Sequence, residues 1–402
     1  MMGVRTPLLA ADGSRETVVV QHPADDHQPV WSPDGSQIHF VSNRTRNNSL
    51  WTVHIDAGSS RGSAELIKPD ISRLVGTTRS GALHYLSGGP TGNIYTVDVD
   101  ASVKAKTVPT MATDRFINSN TSPAWSPDGQ YLAYYSVRAP FPDSPGWAIL
   151  VIRSLGTGEE RENRSGLLLA AGTEFPGLPL PSPVRWFPDG RSVLMVARDL
   201  QRNRLGYYRV DIVSGSAEPL GVKPAGTHDL SPDGKSIFYI DRGDASALAT
   251  SRLMRFDMDS RRETELKRAS SGDLRTFRLS PDGAQLAYFL SGWLEVMPAG
   301  GGEPRKVLRL PTNWDGFGRS QLAWTPDQRY LLFVTEGNKL EDLWRVPVTG
   351  GEPGRTGVSV NGFFRSLGMH PDGRRLTFGS VEDGAHELWA LENFLPNAPA
   401  VR

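Results

Sequence analysis

The string Trp31-Ser32-Pro33-Asp34-Gly35 returns unchanged at Trp125-Ser126-Pro127-Asp128-Gly129. Its Pro-Asp pair recurs at Asp189, Asp233, Asp282, Asp327 and Asp372, and a degenerate copy, Arg79-Ser80-Gly81, fills the one long gap. The copies lie about 44 to 61 residues apart, which suits a repeat of four short strands. The turn has a mechanism. Pro presets φ, Asp bonds its own backbone, and Gly accepts the fold-back conformation. An aromatic before it and alternating apolar residues after it, such as Ile38 and Phe40, read as strand, turn, strand.

A second element follows each turn in phase. It reads Leu50-Trp51-Thr52-Val53, Ile94-Tyr95-Thr96-Val97, Tyr207-Tyr208-Arg209-Val210, Leu343-Trp344-Arg345-Val346 and Leu388-Trp389-Ala390-Leu391, among others. These are β-prone segments. Several lead into a Gly-rich turn, as at Gly300-Gly301-Gly302-Glu303 and Gly350-Gly351-Glu352, and then a fourth strand.

Together these strings resemble the TolB-type, WD40-like propeller repeat, over residues 16–394. The resemblance implies an all-β fold, a single β-propeller of eight four-stranded blades, with seven as the alternative. Residues 1–15 read as a lead-in and 395–402 as a tail. Glu16 to Val20 reads as a fourth strand and the last repeat stops after its third. The N-terminal strand is therefore expected to pair with Leu388–Leu391 and close the ring, removing open sheet edges. Two repeats depart from the pattern. Arg79-Ser80 lacks the Pro-Asp pair and predicts a softer turn, and Gln328 stands where Gly is usual and predicts a different one.

The 44 basic and 44 acidic residues cancel, which argues against a broad nucleic-acid or anionic-membrane footprint. With no cysteine, disulfides, thiolate metal sites and cysteine nucleophiles are excluded. No stretch approaches the ~20 apolar residues of a membrane helix. A monomer is expected, periplasmic if a leader has been removed and otherwise cytoplasmic.

Motifs for chemistry are sparse. Gly58-Ser59-Ser60-Arg61-Gly62 matches G-x-S-x-G, but a nucleophile elbow needs a strand-to-helix turn and this string lies between two expected strands. No His pair has metal-ligand spacing, and no cofactor is expected; His22, Asp25 and His27 form the densest weak metal candidate. The residue just before the Trp position reads Val30, Gly76, Ala124, Arg185, Asp229, Arg278, Ala323 and Gly368. Three consecutive repeats thus put Arg, Asp and Arg on first strands, which line a propeller's channel. An inter-blade ion network and a site for an anionic ligand or peptide carboxylate are both open readings. His228, Arg115, Trp314 and Arg365 add candidates on the same strands and on the connectors between blades.

The resulting expectation is a non-catalytic module that binds a protein or a small anionic ligand at the channel and loop rim. TolB-type resemblance implies partner binding at the cell envelope. The ending Glu387-Leu388-Trp389-Ala390-Leu391 is also similar to sensor parts of bacterial kinases and regulators. The alternative is a propeller enzyme, a polysaccharide lyase or hydrolase with a site built from several blades. Oligogalacturonate lyases are one such propeller family.

Overall fold

Each repeat turn is held by the same local bonds. In the computed structural model, the residue at the Gly position donates its N–H to the carbonyl three residues back in all eight copies. The distance is 3.0 Å for Gly35 to Ser32, 2.8 Å for Gly234 to Ser231 and 3.0 Å for Gly81 to Thr78. Ser32 Oγ donates to Asp34 at 2.6 Å, and Ser126 Oγ to Asp128 at 2.5 Å. The same Asp accepts the N–H two residues on, from Ser36 at 3.1 Å and Gln130 at 3.0 Å. These bonds to the ionised form hold the carboxyl of Asp34 down to about 2. The two irregular turns keep the geometry. Thr78 and Ser80 take over the Ser and Asp positions, with 2.9 Å between their hydroxyls. Gln328 adopts a left-handed φ of 59° and makes the standard bond to Thr325 at 2.9 Å. The expected change of turn at Gln328 therefore does not occur, because a single left-handed residue is costly but possible without glycine.

The structure describes the chain apart from residues 1–3, 10–11, 15, 23–25, 43, 46–47, 89–90, 116–118, 138–145, 164, 172–182, 200–201, 203, 223–226, 243–249, 270–273, 275, 311–320, 337–339, 383–385, 393 and 395–402. The chain divides into two compact units, where the repeat predicts one continuous array. One comprises Thr91–Val137 and Trp147–Glu382; the other comprises Met1–Pro90, Arg138–Gly146 and Asp383–Arg402.

Among the described residues, the larger unit holds six four-stranded antiparallel arrays. Sheet I is Asn120–Trp125, Tyr131–Val137, Gly146–Ser154 and Glu160–Asn163. Sheet II is Arg185–Trp186, Ser192–Asp199, Arg204–Asp211 and Ala217–Pro219, tied to sheet I by the strand Leu167–Ala171. Sheet III is His228–Leu230, Ser236–Asp241, Ser251–Asp257 and Glu263–Ala269. Sheet IV is Phe277–Leu279, Gln285–Leu290, Trp293–Pro298 and Arg305–Arg309. Sheet V is Leu322–Trp324, Tyr330–Glu336, Leu340–Pro347 and Gly354–Asn361. Sheet VI is Phe363–Met369, Arg375–Glu382, Thr91–Asp98 and Thr110–Met111.

Second strands are apolar runs because they sit mid-sheet and are covered on both faces; Leu194, Met195, Leu286, Tyr288, Leu331 and Leu376 are all at most 1% exposed. One apolar cluster fills each gap between neighbours. Tyr135 with Trp186 joins sheets I and II, Tyr207 with Tyr239 joins II and III, and Phe238 with Tyr288 joins III and IV. Phe289 with Phe333 joins IV and V, Leu343 with Phe378 joins V and VI, and Ile94 with Tyr134 joins VI and I. The first strands touch in the same cyclic order and the cycle closes from sheet VI to sheet I. This is an arrangement consistent with a β-propeller.

The smaller unit holds sheet VII (Asp26–Trp31, Gln37–Ser42, Ser49–Asp56, Ser59–Lys68) and sheet VIII (Arg73–Thr77, Leu83–Gly88, His386–Leu391), with the hairpin Val4–Leu9/Glu16–His22. The Ser of G-x-S-x-G follows a tight hairpin turn at Ala57 and Gly58, both with positive φ, so it is no elbow.

Closure differs from expectation. Glu16–His22 pairs with Val4–Leu9, in the stretch expected to be a lead-in, and not with Leu388–Leu391. Its Val19 and Val20 bury against Ile38, Phe40 and Val53 of sheet VII. Two third strands have also traded places relative to chain order. Thr91–Asp98 leaves its sequence neighbour Leu83–Gly88 and pairs with Arg375–Glu382, while His386–Leu391 pairs with Leu83–Gly88. The residues after Thr91–Asp98 account for its position. Val99 and Val103 bury in the cluster between sheets V and VI, and Ala105 N–H donates to Thr356 O at 2.8 Å. His386–Leu391 is anchored in the smaller unit instead: Leu391 and the following Phe394 pack on the cluster of Val41, Leu50, Leu74 and Leu83.

Turns also interlock between sheets. A Cβ added at Gly234 would lie 2.8 Å from Pro188 Cδ of the preceding turn, and one at Gly283 would lie 2.9 Å from Pro232 Cδ. At Gly373 it would meet nothing within 4 Å. All three have φ near +70°. Gly373→Ala should therefore cost only the backbone penalty of about 1–2 kcal/mol, and Gly234→Ala about 1–3 kcal/mol more for the overlap. Urea unfolding of the two variants checks the difference; equal costs would refute the interlocking of turns.

Candidate functional site

The first strands of sheets II, III and IV carry the charged column. Arg185, Asp229 and Arg278 sit at the same register step, opposite Leu194, Phe238 and Ala287 of their second strands. Ala124, Ala323 and Gly368 occupy that step in the other three sheets of the larger unit, opposite Ala133, Leu332 and Thr377. Two charges of one sign and one of the other are therefore collected on three adjacent inner strands.

Asp229 is the centre. Its Oδ1 accepts Arg185 Nε at 2.7 Å and Leu230 N–H at 3.1 Å. Its Oδ2 accepts Leu279 N–H of sheet IV at 3.1 Å. Burial alone would push this carboxyl up. The positive charges of Arg185 and Arg278, the Leu279 N–H and the Arg185 bond outweigh it and hold the carboxyl below the usual range. The pair is largely shielded, with side chains 18% and 11% exposed. Arg185 also donates to its neighbour's carbonyl, Val184 O, at 2.9 Å. Arg278 donates from Nε to Leu322 O of sheet V at 2.9 Å. Burial, then the like charge of Arg185, push Arg278 down to about 9, against the opposing pull of Asp229. Arg185 Nη2, Arg278 Nη1 and the Tyr135 hydroxyl are buried with no hydrogen-bond partner among the described residues. Burial pushes the Tyr135 hydroxyl up, and Arg185 opposes that shift. Tyr135 escapes a search of first strands because it lies on a second strand.

The indoles explain why charge is tolerated here. Trp186 Nε1 donates to Ala124 O at 3.0 Å and Trp324 Nε1 to Arg278 O at 3.1 Å, each stitching two first strands. Sheets III and IV have Leu230 and Leu279 at the Trp position. Between those two sheets the Asp229 carboxylate supplies the stitch.

The other candidates lie elsewhere. His228 is fully buried behind the column, its ring edge-on to Tyr207 at 5.1 Å. Arg115 lies 3.9 Å from Glu160 on sheet I, in an ion cluster with Arg153. Arg365 is exposed on the first strand of sheet VI. Trp314 and Asp25 fall outside the described residues. His22 and His27 belong to the smaller unit, and no group of three His, Cys, Asp or Glu suited to a metal occurs among the described residues.

Burial, with help from Arg185 and Arg278, pushes the His228 imidazole down to about 3 from an ordinary value near 6.5. Below pH 6.5 the unfolded chain binds a proton that the folded chain refuses. The contribution is whole above about pH 6.5 and is lost as pH falls toward 3, at about 1.4 kcal/mol per pH unit. His228→Phe, which keeps a ring on Tyr207, should remove that slope from the stability of the chain between pH 6 and 4. Urea unfolding across that range measures it, and an unchanged slope would mean that folded His228 takes up its proton freely.

No family model matches the sequence. An uncharacterised protein of Agrobacterium fabrum is 27% identical over 121 residues, spanning 28% of this chain and 38% of that protein. A solved structure assigned as TolB from Agrobacterium tumefaciens superposes with a TM-score of 0.52 at 18% identity, covering 73% of this chain and 98% of its own. An oligogalacturonate lyase from Vibrio parahaemolyticus gives 0.44 at 15% identity over 71% of this chain and 77% of its own, a likeness too loose to carry an argument. The chain has a TolB-like β-propeller fold.

Proposed function

We propose that this chain is a non-catalytic binding module, and that the inner face of the Thr91–Glu382 unit recognises an anionic small molecule or an anionic group of a protein partner. One observation carries the reading. Two guanidiniums flank a single carboxylate on adjacent inner strands, and Arg185 Nη2 and Arg278 Nη1 have no acceptor among the described residues. The six sheets in cyclic contact give those side chains a rigid mount, read here as six blades. Rigid mounting lowers the ordering cost of binding.

A structural network and a binding site make opposite predictions for Arg278. If Arg278 only holds strands together, Arg278→Gln destabilises the chain. If it waits for a ligand, removing a largely shielded, uncompensated charge leaves stability within about 1 kcal/mol or raises it. The same change should abolish stabilisation by added anions. Thermal unfolding of both proteins, in chloride, phosphate and acetate at matched ionic strength, tests this. Equal anion responses in the two proteins, with a lower midpoint for the variant, would leave the column a structural device.

A further inference from the structure

We propose that the ligand group of this column is a single carboxylate, taken up as a monoanion on the unused side of Arg278. The inference rests on reading the column as an anion site and adds the identity of the anion. Charge comes first. Arg185 and Arg278 contribute two positive charges and the ionised Asp229 one negative, while His228 behind them is neutral. One positive charge is left over in a shielded setting, where an uncompensated charge is costly. A monoanion brings the column to zero. A dianion leaves it negative, and a neutral amide leaves it positive.

Hydrogen-bond capacity points the same way. Asp229 has committed both oxygens, to Arg185, to Leu230 and to Leu279. It offers Arg278 attraction but no bond. Arg278 uses only Nε, on Leu322 O. Its Nη1 is buried without an acceptor among the described residues, and the side chain keeps partial exposure. A guanidinium with Nε engaged presents its Nη edge, and the planar match for that edge is a two-oxygen carboxylate. Chloride could neutralise the charge but brings one acceptor atom to two donors, where a carboxylate makes two parallel bonds. The neighbouring steps of the cycle, Ala323 and Gly368, are small, so the side of the column next to Arg278 is not filled by a large residue at that level. The carboxylate could belong to a free organic acid or to the end of a peptide chain.

Thermal unfolding with six probes at matched ionic strength tests the proposal: acetate, acetamide, chloride, phosphate, and a Gly-Gly-Ala tripeptide as free acid and as C-terminal amide. Acetate and the free-acid peptide should raise the midpoint above chloride and phosphate; acetamide and the peptide amide should not. Arg278→Gln should erase the acetate effect. Arg278→Lys keeps the charge without the fork. It should still respond to anions but lose the preference for acetate over chloride, and this variant serves if the glutamine form fails to fold. A free-acid peptide at least tenfold more potent than acetate assigns the carboxylate to a chain terminus, and equal potency assigns it to a small acid. Either supports the proposal. Phosphate or chloride matching acetate would overturn the carboxylate while leaving the anion site standing. No difference between wild type and both Arg278 variants with any probe would overturn both.

Discussion

The structure depends on how one aspartate closes one turn. In Ser-Pro-Asp-Gly the carboxylate takes the Ser hydroxyl and the N–H two residues on, and the chain reverses within four residues. Because the turn is satisfied by its own side chains, its outer surface is free to pack. That surface is where sheets meet, with Pro188 against Gly234 and Pro232 against Gly283. The last junction of the cycle uses a different contact. His370 Nε2 lies 3.1 Å from Gly129 O, and the His370 ring stands edge-on to Trp125. Where Gly is replaced by Gln328, its amide bonds the Asp282 carboxylate of the preceding turn and so exchanges packing for a polar contact.

Much of this was legible in the sequence because turns and alternation are local. All eight turns are present, including the degenerate one at Thr78 to Gly81, since the hydroxyls of Thr78 and Ser80 can replace Ser and Asp. What was not legible is which third strand joins which sheet. Ile94-Tyr95-Thr96-Val97 and Leu388-Trp389-Ala390-Leu391 are interchangeable as β segments. Their partners were settled by residues outside the repeat pattern, Val99 and Val103 on one side and Phe394 on the other. Non-local pairing of near-identical strands leaves no mark in the strands themselves.

The same division holds for the candidate site. Aligning the repeats put Arg185, Asp229 and Arg278 at one step, and the strand registers agree. Alignment could not reveal that Asp229 spends its second oxygen on the Leu279 backbone, or that Tyr135 reaches the neighbourhood from a second strand. Nor could it separate His228 from Asp229. Adjacent residues on a strand face opposite ways, so one packs on Tyr207 and the other enters the column.

The column joins strands with more than the joining requires. Joining neighbouring first strands takes one polar contact per junction, as the single indole bonds of Trp186 and Trp324 show. Asp229 provides that contact between sheets III and IV, and Arg278 Nε adds one between IV and V, where Trp324 already makes its own. Architecture alone would be served by far less than two guanidiniums. A tryptophan at residue 230 or 279 would have done the same with no charge to shield. The repeat therefore carries surplus donors and a surplus positive charge at one place on its inner face. Most of the repeat is scaffold, and the proposed binding site rests on this departure from it.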